Sequence, residues 1–173
     1  MSYLKGKLVY LAGQIHADQG DGIAWRDSIT PMLIEKFGLV VEDPCKKTAN
    51  GVGEVGDDKK AIIELIKSKK FREAKERFWP IVRKDLRSVD RSDFLIVVYD
   101  PTVPTVGTIH EIIEANHQKK PILMWYDETK IEHFNPWALV LIKENCLFTK
   151  WDELFAYLEV IDSGKIDSSY WTL

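Results

Sequence analysis

The sequence predicts a single doubly wound α/β domain, residues 1–173, around a five-stranded, mainly parallel sheet. Three observations predict it. Apolar, β-rich runs alternate with segments of helical period, the order a parallel sheet requires. One run, residues 94–99, is apolar throughout, as expected of a strand covered on both faces. A chain of 173 residues holds one substantial core, and no repeat or linker-like stretch divides it.

Each element has its own signal. Residues 8–12 read as the first strand, flanked by Gly6 and Gly13. Trp25, Ile29, Leu33 and Phe37 recur at helical spacing, and Gly38 ends that helix. Residues 39–41 give a second strand, stopped at Asp43-Pro44, and the polar stretch around Asn50-Gly51 is a loop. A helix over 57–70 carries Ile62, Ile63 and Ile66 on its apolar side. A further helical stretch runs on to Trp79, and Pro80 suits the first turn of a new helix, with Val82, Leu86 and Val89 as its stripe. After the strand 94–99 come a turn over 100–107, a helix over 108–117 and a fourth strand over 121–125. Leu147 and Phe148 form a short fifth strand, and Thr149 caps a last helix bearing Leu154, Tyr157 and Leu158. The polar tail, 161–173, ends in an aromatic pair, Tyr170-Trp171; docking and fraying both remain open for it.

Composition narrows the function classes. The formal net charge of -3 leaves no electrostatic footprint for a nucleic-acid polymer. The basic residues over 67–77 are interspersed with acids and read as a solvated helix face. No leader-like segment and no long apolar run is seen, so the expectation is a cytoplasmic protein without a membrane partner, with Cys45 and Cys146 reduced. His16, His110, His117 and His133 are scattered; His110 and His117 could share a helix face, but two ligands make a poor site, so no metal is expected. Residues 51–56 match G-x-G-x-x-G. That motif holds a pyrophosphate only when a strand runs straight into the glycines, and here the polar segment 44–50 intervenes. No NAD or other cofactor is expected; the glycines suit a loop that closes over a substrate.

The chemistry is expected where strand order reverses, between the first and third strands. The loops there, 13–22 and 100–107, are rich in small and polar residues. The second leads into a helix whose first turn is expected to hold Glu111, where the helix dipole keeps a carboxylate ionised, as a nucleophile requires. Loss of a nucleobase leaves an oxocarbenium-like carbon that such a carboxylate can stabilise or capture. Asp85 is the candidate proton donor to the departing base. Each residue also has a plainer reading. Thr108-Ile109-His110-Glu111 is a T-x-x-E capping box, Asp85 a surface acid, and Tyr10 a core aromatic.

In order and spacing together these residues resemble the nucleoside 2-deoxyribosyltransferase family, which includes deoxynucleoside 5'-monophosphate N-hydrolases. The likeness is carried by Val9-Tyr10-Leu11-Ala12-Gly13, Trp25-Arg26, Asp85-Leu86 through Ser92-Asp93, and Val106-Gly107-Thr108-Ile109-His110-Glu111 with Ala115 and Lys120-Pro121, over about two-thirds of the chain. The resemblance implies a flavodoxin-like or Rossmann-like fold and an N-glycosidic bond-cleaving enzyme. Glu111 would be the nucleophile, Tyr10 its hydroxyl partner, and Asp85 would hydrogen-bond or protonate the base. Gly13 and Gln14 would border sugar or base, with Ile15, Trp25, Asp93, Thr105, Gly107 and Thr108 as further substrate-binding positions. Transferases of the family usually carry an aspartate six residues before the glutamate; this chain has Thr105, closer to the serine of the nucleotide hydrolases, and a hydroxyl suits a nearby phosphate. The family often completes its site from a neighbouring subunit's C-terminal region, which has no match here, so a homo-oligomer is implied by resemblance alone. The expected partner is a small molecule, a deoxynucleoside or deoxynucleotide with a free base. Transfer of the sugar to another base is the preferred outcome, with hydrolysis and a non-catalytic nucleotide-binding module as alternatives.

Overall fold

Strand β1 (Leu8–Gly13) lies where the winding of the sheet reverses, because it pairs with the next strand of the chain on one side and with the one after that on the other. The computed structural model describes residues 2–15, 22–46, 57–165 and 170–171. Along the chain follow α1 (Ile23–Glu35), β2 (Val40–Glu42), α2 (Asp57–Lys67), α3 (Phe71–Arg91), β3 (Phe94–Tyr99) and α4 (Val106–His117). Then come β4 (Ile122–Tyr126), α5 (Pro136–Val140), β5 (Leu147–Phe148) and α6 (Trp151–Asp162). The sheet order is β2-β1-β3-β4-β5 and every pairing is parallel. The doubly wound architecture and the reversal between β1 and β3 are as the sequence predicts.

Alternation along the strands sends each side chain to one face. Tyr10 looks toward α4 and bonds to it, whereas Gly13, three residues on, faces α1, where a Cβ would lie 3.0 Å from the Trp25 ring. In register with Gly13 and Val98, Trp125 stands on that second face. There Trp25 of α1, Trp151 of α6 and Trp125 stack, at centroid spacings of 6.0 and 5.6 Å. Helices α3 and α4 pack on each other and cover the Tyr10 face. The centre is apolar and fully closed: Leu11, Leu95, Ile96, Ile122, Leu123 and Met124 have no solvent exposure.

Several local expectations are corrected. Pro80 does not begin a helix; it sits inside α3, and the break falls earlier, at Lys69 with φ 57°. A proline inside a helix costs one hydrogen bond and some bending. Here Ala74 and Ile81, on either side of it, are both buried, while Trp79 and Pro80 face solvent, so packing carries the helix through and water can serve the orphaned carbonyl. Helix α4 begins at Val106 rather than at residue 108, with Thr105 as N-cap. Thr108 is therefore its third residue and Glu111 its sixth, so Thr108 cannot form the expected capping box. Thr149 does not cap α6, whose N-cap is Lys150 without a side-chain bond. The 3₁₀ turns Glu128–His133 and Glu144–Cys146 and the short α5 have no periodic signal long enough to read. At the tail, the Trp171 side chain packs into the core, 5.0 Å from Phe94 between ring centroids, and the Tyr170 hydroxyl accepts from Ile122 N at 3.0 Å. The G-x-G-x-x-G segment and most of the loop before it lie outside the described residues. Among the described residues, no helix is long and apolar enough to cross a membrane, and both cysteines are buried.

Candidate active site

A cleft of about 350 Å³ opens at the carboxyl ends of β1 and β3, between α3 and α4. Its walls have distinct origins. The end of β1 supplies Gly13 and Ile15. The inner side of α3 supplies Phe78, Val82, Asp85 and Leu86, and α2 contributes Lys59. The connection into α4 supplies Pro104 and Thr105, and the helix itself Val106, Gly107, Thr108, His110 and Glu111.

At its centre the Tyr10 hydroxyl donates to Glu111 Oε1 at 2.6 Å, across 101 residues of sequence. Tyr10 is wholly buried and fixed by pairing on both sides, to Glu42 of β2 and Leu95 of β3. Its phenol therefore has one direction in which to point, and α4 brings Glu111 to meet it. Glu111 lies in the second turn of α4, so the helix-end argument for its position gives way to this short, charge-assisted bond. Asp85 lines the same cleft and is only 5% exposed, which sets it apart from an ordinary surface acid. Its carboxylate stands 3.9 Å from Lys84 Nζ. Thr105 makes no capping bond with its side chain, although it occupies the N-cap position. A Cβ on Gly107 would meet nothing within 4 Å, so at this lip the glycine leaves open space beside the cleft.

The expected site residues thus divide. Glu111, Asp85, Gly13, Ile15, Thr105, Gly107 and Thr108 line the cleft, and Tyr10 reaches it through its hydroxyl. Three stand apart. Trp25 packs on the opposite face of the sheet, stacked on Trp151, with its ring against Gly13. Asp93 lies at the amino end of β3, where its Oδ2 accepts from Leu8 N at 2.7 Å and Lys7 stands 3.7 Å from Oδ1; it ties two strands together at the far end of the sheet. Gln14 is not part of the lining, and its Oε1 is buried with no partner among the described residues. Conversely, Lys59, Phe78, Val82, Leu86 and His110 line the cleft without having been expected there. Val82 and Leu86 do follow a helical apolar stripe, but a stripe facing a cleft reads the same as one facing a core. Lys59 donates from Nζ to the Ile15 carbonyl and so bridges α2 to the end of β1; no local pattern foretells a contact over that separation. Among the described residues no three His, Cys, Asp or Glu side chains gather as a metal site would need.

No protein-family profile matches the chain, and no curated protein matches it in sequence. Solved structures do match it in shape. A conserved protein from Enterococcus faecalis V583 superposes with a TM-score of 0.60 at 18% identity, over 89% of this chain and 98% of the other. The 2-deoxyribosyltransferase of Bacillus psychrosaccharolyticus superposes with a TM-score of 0.57 at 15% identity, over 88% and 96%. A CMP N-glycosidase of Clostridium botulinum gives 0.46 at 16% identity, over 91% and 99%. Across nearly its whole length, this chain has the fold of a 2-deoxyribosyltransferase.

Proposed function

We propose that the cleft binds a 2'-deoxynucleoside or its 5'-monophosphate and breaks its N-glycosidic bond, with transfer of the sugar to another base. One observation carries the reading: a buried tyrosine hydroxyl holds Glu111 at 2.6 Å in a cleft that also contains the buried acid Asp85. A carboxylate aimed by a fixed donor, with a second carboxyl group across the cavity, is the arrangement displacement at an anomeric carbon needs. The shared fold with a 2-deoxyribosyltransferase supports it.

In this reading a Glu111 oxygen forms a bond to the anomeric carbon as the bond from that carbon to the base nitrogen breaks. The electron pair leaves with the base, which hydrogen-bonds to or takes a proton from Asp85. The glycosyl ester on Glu111 is then attacked by an N–H nitrogen of a second base, whose proton passes to Asp85, and breaking of the ester bond regenerates the Glu111 carboxylate. Phe78, Val82, Leu86 and Ile15 supply apolar surface for a flat base, and Thr105 supplies a hydroxyl donor for a 5'-phosphate.

The test is incubation of the purified protein with a deoxynucleoside or its monophosphate and a different free base, with products followed by chromatography. Base exchange is the expected result; free sugar or sugar phosphate instead assigns hydrolysis. Glu111→Gln is expected to lower turnover by about 10³-fold or more while substrate still binds. Unchanged binding with no turnover in either form leaves only a nucleotide-binding module.

A further inference from the structure

Strand β1 runs further than its partner on one side. Its pairing with β2 ends at Tyr10–Glu42, whereas its pairing with β3 continues to Gly13–Val98. Carbonyls alternate between the two sides of a strand. Leu8 O is taken by Asp93 N on the β3 side and Lys7 O by Val40 N on the β2 side, so Leu11 O and Gly13 O point to the β2 side, where β2 has already ended. The chain there turns away through Asp43-Pro44, and Pro44 has no N–H to offer.

Arg26 fills that place. It is wholly buried, and its guanidinium donates to Leu11 O (3.3 Å from both Nε and Nη2), to Gly13 O (3.0 Å from Nη2) and to Gly22 O (2.9 Å from Nη1). Asp43 Oδ1, itself held by Cys45 N at 2.9 Å, lies 3.4 Å from Nε. Room for the group is made by Gly22 at φ 66°, where a Cβ would fall 2.7 Å from Nη1 and 2.3 Å from Gln14 O. We infer that Arg26, braced by Asp43, is a positioning residue that stands in for the missing rungs of the β1–β2 ladder and so holds the Gly13–Ile15 wall of the cleft at its working distance from Glu111. A lysine cannot replace it, since an ammonium lacks the planar fork that serves several carbonyls at once.

This inference rests on the proposed function for what the wall binds, but not for what Arg26 does to the strand. Tyr10 is gripped by strands on both sides, so loss of Arg26 moves the binding wall and spares the Tyr10–Glu111 pair. Arg26→Lys is expected to raise KM for the nucleoside about 10-fold or more, with kcat within about threefold and an unchanged pH profile; Asp43→Asn gives a smaller rise of the same kind. Leu158→Ala, a buried change on α6, serves as a control of comparable lost stability and is expected to leave KM alone. Hydrogen exchange in a peptide spanning residues 8–15 is read alongside and is expected to quicken about 10-fold or more in Arg26→Lys, with β4 unaffected. A wild-type KM in Arg26→Lys, or an equal rise in the control, overturns the inference. A wild type that cleaves no nucleoside overturns the proposed function instead, and the exchange result then decides the role of Arg26: unchanged exchange rejects it.

Discussion

Tyr10 donates its phenol to the carboxylate proposed as the nucleophile, and that fixes what its removal should do. The hydrogen bond aims Glu111 and restrains its rotamers, a contribution made to the proposed nucleophile rather than to bound substrate. Tyr10→Phe is therefore expected to lower kcat by about 10- to 100-fold with KM nearly unchanged, as read from steady-state kinetics; a raised KM with normal kcat would place Tyr10 in substrate binding. Thr105, whose hydroxyl makes no capping bond, gives a sharper test of substrate class. Thr105→Ala is expected to cost about 10-fold in kcat/KM for the 5'-monophosphate and nothing for the unphosphorylated nucleoside. At this scale the sequence alone left each residue two roles. Glu111 matched both a nucleophile and a capping box, and the start of α4 at Val106 removes the second reading. Asp93, equally acidic and in the same family-like stretch, lies at the wrong end of its strand, because one strand length decides between cleft and anchor.

At the scale of elements, α3 spans the cleft wall in one piece in spite of Pro80. Pro80→Ala restores a helix hydrogen bond, partly offset by a more flexible unfolded chain, and is expected to stabilise by about 1–2 kcal/mol. For a chain of this length that is a rise in melting temperature of about 2–8 °C by calorimetry; a fall would show that the bend itself is needed for packing. The connection from β3 to α4 is held by Asp100, which accepts from Thr102 N and Thr102 Oγ1 and pairs with Lys130 in the 3₁₀ turn after β4. Burial works to raise the Asp100 carboxyl, but the hydrogen bonds from Lys130 and Thr102 outweigh it and hold its pKa below the usual value. The folded form thus binds this proton less readily than the unfolded chain does. Its stabilisation is present above the ordinary carboxylate pKa and is lost as pH falls through the lowered one. Lys130→Met is expected to move the acid-unfolding midpoint upward, read by circular dichroism. Element type was readable wherever the apolar period was long. Boundaries were not, because Pro80 and Thr149 carry local signals that burial on neighbouring turns overrides.

Across the whole molecule, the tail closes the sheet at a place far from it in sequence. Trp171 Nε1 donates to the Tyr157 hydroxyl at 3.0 Å while its ring lies on Phe94, and Tyr170 takes the Ile122 amide. Trp171→Ala is expected to cost about 3 kcal/mol, a fall in melting temperature of about 6–12 °C. Burial pushes the Tyr170 phenol up to about 12, against the help of its hydrogen bond from Ile122. The unfolded chain therefore loses this proton first, and the stability it lends is complete below about pH 10 and falls as pH rises toward 12. Tyr170→Phe should flatten that alkaline loss; an identical profile would place the sensitivity elsewhere.

Fold class, the order of the strands' signals and a set of candidate side chains for the proposed chemistry were legible in the amino-acid order alone. Alternating periods and buried apolar runs are local properties, and they survive without knowledge of contacts. Which of those side chains meet came from the folded arrangement: Tyr10 with Glu111 and Asp85 in one cleft, Trp25 behind it, Asp93 at the opposite end of the sheet. The reason is that face and end are set by strand register and crossover, and both depend on pairings between segments scores of residues apart.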